Sequence, residues 1–398
     1  MSTQPTPTPS DQPKSDQTKS DQTKSDQTNK SADPLAPLRE KINDVDRRLV
    51  ELLGERARVV GEVGEVKRRL GLPIYAPHRE ANLLERIHAM NAGPLPARAM
   101  EAIFREIMSG SFVLERGIRV GYLGPAGSFS HVAASRQFGS SVDFEDLRTI
   151  DGVFTEVVRG HVDYGLVPIE NSIHGGIAET LDGLVAHAGK LSLYAEVQIA
   201  VHHTLLACCP PSRVARIHSK PEVFTQCRRW LATQYPQAQL IPAASSSRAV
   251  QMVAELARKE GLDACADAAI GSTLAGELYD VPILFEEIED DVDNVTRFFI
   301  LSRQAGRPSG DDKTSIMFAT LDKPGALVGV LREFDKAGVN LTHIDKRPAR
   351  KTNWTYTFFV DAQGHASEPR MVEALHGARA HCQELFVLGS YPRSTRVL

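Results

Sequence analysis

The sequence predicts a multidomain chain in which an all-helical segment is followed by an α/β segment and then by a small α+β module of ferredoxin-like order. Three observations carry that prediction. An apolar seam at alternating steps of four and three residues runs through residues 38–70. Beyond Gly117, short apolar runs alternate with helical patterns, which is the texture of α/β structure. After a polar break at 302–312, a last segment of about 85 residues reads strand, helix, strand, strand, helix, strand. With 398 residues the chain is also too long for one ordinary core.

The bulk composition narrows the function. At 42% hydrophobic and 24% charged residues the chain is that of a globular, water-soluble protein. A formal net charge of −4 gives no reason to expect nucleic acid as a partner, so an anionic substrate must be met by a local cluster of cations. Five cysteines (Cys208, Cys209, Cys227, Cys265, Cys382) are an odd number with no CxxC pair. They argue against a disulfide framework and a zinc site, so we expect no metal, no cofactor and a reducing, cytoplasmic setting. The polar first thirty residues hold no apolar core of the kind an export signal needs. The longest apolar stretch, near 197–209, is short and carries His202 and His203, so no membrane contact is expected.

Residues 10–29 repeat the unit Ser-Asp-Gln-Thr/Pro-Lys almost four times. Lacking large apolar side chains, this stretch cannot offset the entropy of ordering. Residues 1–33 are therefore expected to be a disordered low-complexity tail without chemistry.

The helical segment starts with Leu38, Ile42, Val45, Leu49, Leu52, Val59, Val63, Val66 and Leu70 on one seam. That pattern predicts a helix of roughly 35 residues and ~50 Å, which needs partner helices. Two more helices are expected over 79–90 and 97–114, separated by Gly93-Pro94-Leu95-Pro96. One seam position is Arg56, where an apolar residue belongs, and Lys67 lies three turns along the same face. A cation facing a helical core is unfavourable unless an anion meets it, either a structural partner or a ligand. Leu38-Arg39-Glu40-Lys41-Ile42, Asp46, Leu52-Leu53, Glu55-Arg56, Lys67 and Arg79-Glu80 together resemble the all-helical chorismate mutase family over residues 34–116. The resemblance implies an intertwined dimer, or a higher homo-oligomer, in which long helices of two chains build each site. It implies that Arg39 of the partner chain, Arg56 and Lys67 bind the carboxylates and ether oxygen of chorismate. Arg79 would support them, Glu80 would take the substrate hydroxyl, and Ser111 would line the site. A pericyclic rearrangement needs only a compact conformer and charge against the breaking bond, and a cage of fixed cations supplies both. Glu115 stands where a glutamine often donates to the ether oxygen. A carboxylate donates only when protonated, so activity should rise toward acidic pH unless burial keeps Glu115 neutral. Ala76 departs from a position that is acidic in some relatives.

In the α/β segment, Gly121-Tyr122-Leu123-Gly124-Pro125-Ala126-Gly127-Ser128-Phe129-Ser130-His131 is a strand with a glycine-rich turn. Such a turn either starts a helix or offers backbone N–H groups and the Ser128 hydroxyl to an anion. It lacks the Gly-Lys-Ser/Thr of a nucleotide-binding loop. Val167-Pro168-Ile169-Glu170-Asn171-Ser172, followed by Gly175-Gly176, puts polar groups at a strand end. His218-Ser219-Lys220-Pro221 with Gln226 brings a hydroxyl and an amide close in sequence. Ser245-Ser246-Ser247-Arg248 opens a helix and suits a carboxylate. Val295-Thr296-Arg297-Phe298-Phe299 begins the last strand. Each of these alone also reads as a turn or cap. In this order they resemble prephenate dehydratase over residues 117–302. The implied fold is a pair of α/β lobes like a periplasmic binding protein, one from 118–195 with 272–302 and the other from 196–271. Loss of hydroxyl and carboxylate makes the prephenate ring aromatic, so the enzyme mainly has to protonate the departing hydroxyl. The resemblance implies Thr296 as proton donor, with Asn171, Ser219 and Gln226 holding substrate and relaying hydrogen bonds. Arg297 and Ser245, Ser246 and Ser247 would bind carboxylates, and Phe298 would pack the ring.

Near the C-terminus, Pro324-Gly325-Ala326-Leu327-Val328, Asn340 and Ile344-Asp345-Lys346-Arg347-Pro348 resemble the ACT domain over residues 313–392. The resemblance implies that Gly325, Ala326, Leu327, Val328, Asn340, Asp345, Arg347 and Pro348 enclose phenylalanine across a dimer interface. The second motif is usually Glu-Ser-Arg-Pro; Asp345 and Lys346 replace its first two residues, and a module that only dimerises is the other reading. The joint expectation is a bifunctional isomerase and lyase of phenylalanine biosynthesis, taking chorismate through prephenate to phenylpyruvate under feedback by phenylalanine. Alternatives are a non-catalytic amino-acid sensor on the same folds, a single active domain, and arogenate as second substrate.

Overall fold

The first helix forms where the seam predicts it. In the computed structural model, which describes residues 33–261, 264–320, 323–348 and 356–398, α1 spans Ala36–Leu70. The expected tail, 1–33, lies outside the described residues except for Asp33. Cα packing distinguishes two units, the residues up to Glu55 and Arg56–Leu398. In the first unit Leu38, Ile42, Val45, Leu49 and Leu52 are all more than half exposed, so the seam is uncovered. The second unit begins with the remaining turns of α1, followed by α2 (Pro77–Met90) and α3 (Ala97–Glu115). Pro77 at the first turn of α2 suits a position whose N–H has no helical acceptor.

The next elements build a first α/β lobe: β1 (Arg119–Leu123), α4 (Phe129–Phe138), β2 (Asp143–Leu147), α5 (Ile150–Arg159), β3 (Tyr164–Asn171), β4 (Gly175–Gly176), α6 (Ala178–Ala186) and β5 (Ser192–Ala200). The chain then leaves to build a second lobe. It comprises β6 (Thr204–Ala207), β7 (Arg216–Ser219), α7 (Pro221–Gln226), α8 (Arg228–Gln234), β8 (Gln239–Pro242), α9 (Ser246–Glu260), β9 (Asp267–Gly271), α10 (Thr273–Tyr279) and β10 (Ile283–Phe285). It returns as β11 (Val295–Ser302), which inserts antiparallel between β3 and β5. The first sheet thus runs β2-β1-β3-β11-β5 and the second β10-β6-β9-β7-β8. The lobe boundaries differ from the expected 195/196 and 271/272. All of β5 pairs with β11, and α10 and β10 belong to the second lobe, because the crossovers fall at 201–203 and 286–294.

β11 is buried on both faces, as its unbroken apolar run requires. Phe298 and Ile300 enter one core with Tyr122, Phe138, Tyr164 and, from the helical segment, Tyr75. Phe299 and Leu301 enter the opposite core with Val153 and Phe154 of α5, Leu181 of α6, and Met317, Phe359 and Tyr391 of the C-terminal module. That module is β12 (Asp312–Thr320), α11 (Ala326–Lys336), β13 (Leu341–Pro348), β14 (Tyr356–Gln363), α12 (Pro369–Arg379) and β15 (Cys382–Pro392). Its antiparallel sheet runs β13-β14-β12-β15, the ferredoxin-like order. The sequence pattern starts the third strand of this module at Thr355, which lies outside the described residues. Among the described residues no helix is long and apolar enough to cross a membrane, and no cluster of side chains could hold a metal ion.

Candidate active sites

The cationic site of the helical segment is assembled by two helix faces. Arg56 and Lys67, three turns apart on α1, meet Ser111 and Glu115, one turn apart on α3. The Arg56 guanidinium donates to Ser111 Oγ at 2.6 Å, and Ser111 donates on to the Ile107 carbonyl at 2.7 Å. Burial pulls the Arg56 pKa below its ordinary value. Lys67 Nζ donates to Glu115 Oε2 at 2.7 Å and Oε1 at 3.0 Å, and to the Ile74 carbonyl at 2.9 Å. Gly64 makes this possible, since a Cβ there would stand 3.0 Å from Glu115 Cα. Arg39 lies in the first unit and pairs with Asp33 at 2.6 Å.

Arg79 is exposed, and Glu80 does not join Lys67. Instead Gln137 of α4 donates to Glu80 at 3.2 and 3.4 Å and to Tyr75 Oη at 2.9 Å. A cavity of about 290 Å³ opens there, lined among others by Glu80, Arg105, Gln137 and Arg396. Burial raises the Glu80 carboxyl to about 7, against the opposing pull of Arg105.

The second site forms where β3 ends and β11 begins. Thr296 pairs directly with Asn171 across the two strands. Asn171 Oδ1 accepts the backbone N–H groups of Ile173 and His174, both at 3.1 Å. That fixes the amide, so Asn171 Nδ2 donates to Thr296 Oγ1 at 2.9 Å and to Asn294 Oδ1 at 2.8 Å. With its oxygen accepting, the Thr296 hydroxyl keeps its own proton for donation, and the received bond polarises it for that. Both residues are half-buried.

Several expected ligands are otherwise occupied. Ser219 is fully buried and donates to the Ile270 carbonyl at 2.8 Å, tying β7 to β9. Ser128 and Ser245 cap α4 and α9. Ser247 is fully buried and donates to the Ala126 carbonyl. Ser246 is half-buried in the first turn of α9. Ser272 donates to the Gly127 carbonyl at 2.6 Å and Tyr279 to the Ala126 carbonyl at 3.1 Å. The glycine-rich turn of one lobe therefore docks on the starts of α9 and α10 of the other, and the serine run serves that clasp. Arg297 and Phe298 are also corrected. Phe298 is 1% exposed and is core. Arg297, on the opposite face of the strand, is buried against Glu196 (2.7 Å), Asp361 (2.6 Å) and Tyr391 Oη (3.2 Å). Burial alone would lower its pKa, but Tyr391, Asp361 and Glu196 together hold it above the ordinary guanidinium range.

His203 entered the sequence reading only as an argument against a membrane span. The structure places its Nε2 2.6 Å from Gln226 Oε1 and its ring 5.5 Å from that of Phe129, at the crossover into the second lobe. Burial lowers its pKa, opposed by the Gln226 bond. Two adjacent histidines leaving an apolar strand were the available signal.

In the C-terminal module, Gly325 has φ of 77° at the start of α11, a conformation that suits glycine. Ala326 is buried, Leu327 half-buried, and Val328 and Asn340 are exposed. Asp345 packs against Gly176 of β4, and Arg347 makes a two-pronged bond to Asp182 of α6 at 3.1 and 2.8 Å. Pro348 ends β13. Within one chain, then, the stretch from Asp345 to Arg347 faces the first lobe.

Comparison with known proteins agrees with this fold. Residues 38–116 match chorismate mutase type II, 120–306 prephenate dehydratase, and 314–380 the ACT domain. A bifunctional chorismate mutase/prephenate dehydratase of Stutzerimonas stutzeri is 40% identical over 370 residues, covering 91% of this chain and 99% of that one. The chain belongs to the bifunctional chorismate mutase/prephenate dehydratase family. A solved prephenate dehydratase from Arthrobacter aurescens, in complex with L-Phe, is 31% identical with a TM-score of 0.63, covering 69% of this chain and 90% of that chain. A protein described as a novel type of quorum-quenching acylase has the same TM-score of 0.63 at 26% identity, covering 70% of this chain and 98% of that chain. As a member of the bifunctional family the chain carries a helical mutase domain, a two-lobed dehydratase domain and an ACT module.

Proposed function

We propose that this bifunctional enzyme rearranges chorismate to prephenate on residues 34–116 and converts prephenate to phenylpyruvate on residues 117–302. Phenylalanine acts through residues 313–392. The observation that carries the second activity is the Asn171–Thr296 pair. It leaves one polarised hydroxyl proton at a strand end and fixes the amide that holds it. As the carbon–carboxylate bond of prephenate breaks, its electron pair enters the ring and expels the ring hydroxyl. Thr296 gives that hydroxyl its proton, so carbon dioxide and water leave, and a proton from solvent restores the threonine. Gln226 and His203 are the polar groups proposed to face substrate from the second lobe.

In the mutase, Arg56 and Lys67 hold the substrate oxygens, Ser111 orients Arg56, and Glu115 donates when protonated. Arg79 and Glu80 join the site in the assembled oligomer. A second copy supplies Arg39 and covers the exposed seam of α1, making the working form a homodimer or larger. Five cysteines with no bonded pair among the described residues fit a cytoplasmic enzyme.

The test is to incubate purified full chain with chorismate and follow prephenate and phenylpyruvate, with and without phenylalanine. A parallel arm offers arogenate. Thr296→Ala should accumulate prephenate, with dehydratase turnover down about a hundredfold and mutase turnover intact. Unchanged phenylpyruvate formation by that variant removes Thr296 from the mechanism.

A further inference from the structure

Arg297 follows Thr296 in the same strand, yet two of its partners come from the regulatory module. Its guanidinium reaches Asp361 on β14 at 2.6 Å and Tyr391 on β15 at 3.2 Å. Ser315 of β12 closes the cluster, donating to Asp361 Oδ1 at 2.5 Å and lying 2.6 Å from Tyr391 Oη. From the dehydratase side Glu196 accepts from Arg297 at 2.7 Å and, at 3.1 Å, from Lys313 of the module. Two cations thus meet two buried carboxylates, and removing Arg297 or Asp361 unbalances charge in the interior.

The backbone makes that cluster matter for Thr296. On the β3 side the pairing slips between Arg297 and Phe298, where Pro168 stands opposite Phe298 and has no N–H to give. The bulge leaves Thr296–Asn171 and Arg297–Glu170 as a short separate stretch of ladder with β3, so whatever holds Arg297 also holds the strand start that carries Thr296. Arg297 is anchored immediately beside that point. Beyond it lies a cavity of about 390 Å³ between Glu170, Ser172 and Val295 of the lobe and Lys313, Thr342 and His343 of the module.

We infer that Arg297 is a positioning residue through which the ACT module sets the geometry of Thr296, so that the docking of β14 and β15 decides how well the dehydratase turns over. This rests on the reading of Thr296 as proton donor. The route would let an effector act on the first lobe without a substrate ligand moving.

The experiment compares Arg297→Lys, Asp361→Asn and Tyr391→Phe in the full chain, with mutase activity in the same preparations reporting that each is folded. Arg297→Lys should lower dehydratase kcat about tenfold to a hundredfold while KM for prephenate stays within about twofold. The two module variants should lower kcat in the same direction, and Asp361→Asn should shift the inhibitory phenylalanine concentration by about fivefold or more. Tyr391→Phe removes a single oxygen and keeps the question answerable where Arg297→Lys does not fold. A raised KM with unchanged kcat in Arg297→Lys returns that residue to substrate binding and overturns the inference. So does unchanged kcat in Asp361→Asn and Tyr391→Phe while Thr296→Ala is inactive. Full activity of Thr296→Ala instead defeats the proton-donor reading on which the inference stands.

Discussion

Replacing Glu115 by glutamine should make the mutase faster. An ammonium group has three N–H donors. Lys67 spends all of them, two on the Glu115 carboxylate and one on the Ile74 carbonyl. Substrate must therefore displace a bond to reach Lys67, and an ionised Glu115 both holds that lysine and repels an anionic ligand. A neutral group at this position relaxes both constraints, and an amide also supplies a donor. Glu115→Gln presents a neutral donor at every pH. One well-aimed donor to a developing charge is worth about a hundredfold to a thousandfold in kcat, so a gain of at least about tenfold is expected. The stability side runs the other way. The side chains of Lys67 and Glu115 are 14% and 7% exposed, so their bond is little screened by water. Losing its charge should cost about 1.5–3 kcal/mol. The assay is chorismate disappearance across the pH range, with a urea titration of both proteins. A glutamine variant no faster than the wild type refutes the role given to Glu115.

Glu80→Gln should remove a pH dependence of stability. The folded chain holds this carboxyl at about 7 against an ordinary value of 4.5. The folded state therefore prefers the protonated form, and the associated stability is complete below the ordinary value and lost as pH rises through the folded one. The loss amounts to about 3 kcal/mol in the wild type and none in the variant, read as the difference between their urea midpoints at acidic and alkaline pH. Parallel curves would remove Glu80 from its buried setting. Gly127→Ala places a Cβ 2.9 Å from Ala275 at a φ of 78°. It should open the clasp between the two lobes and abolish dehydratase activity while the mutase continues; full dehydratase turnover would show that the clasp is dispensable.

How far the sequence reveals the molecule differs between the elements and the side chains. The seam of α1, the breaks at Gly93–Pro96 and 302–312, and the order of the C-terminal strands were legible because periodicity and backbone chemistry are local. Hydroxyl groups were not. Ser219 and Ser247 sit in motifs that look ready for an anion, but each donates to a carbonyl far away in sequence, at Ile270 and Ala126. A serine that satisfies the interior and one that meets a ligand are chemically identical, and only the fold tells them apart. The settings of Arg297 and Phe298 were hidden for a related reason. Alternation along a strand puts Thr296 and its neighbours on different faces, but which face meets another domain depends on β12, β14 and β15. The lobe boundary was missed because the crossovers carry charge and histidine instead of glycine and proline.

The place of β11 also bears on how the protein is made. It is the last strand of its lobe to leave the ribosome, yet it occupies an interior slot of the sheet. Roughly a hundred residues, from Ala200 to Val295, must be synthesised before that slot closes, a long-range pairing of the kind that folds slowly. In that interval the facing edges of β3 and β5 have no partner and the apolar side chains on both faces are uncovered, while the intervening second lobe is contiguous and free to collapse on its own. Thr296 reaches Asn171 only when the slot is filled. A nascent or truncated chain ending before residue 295 is therefore without dehydratase activity and is most prone to associate through its open sheet edges, whatever the state of the helices ahead of it.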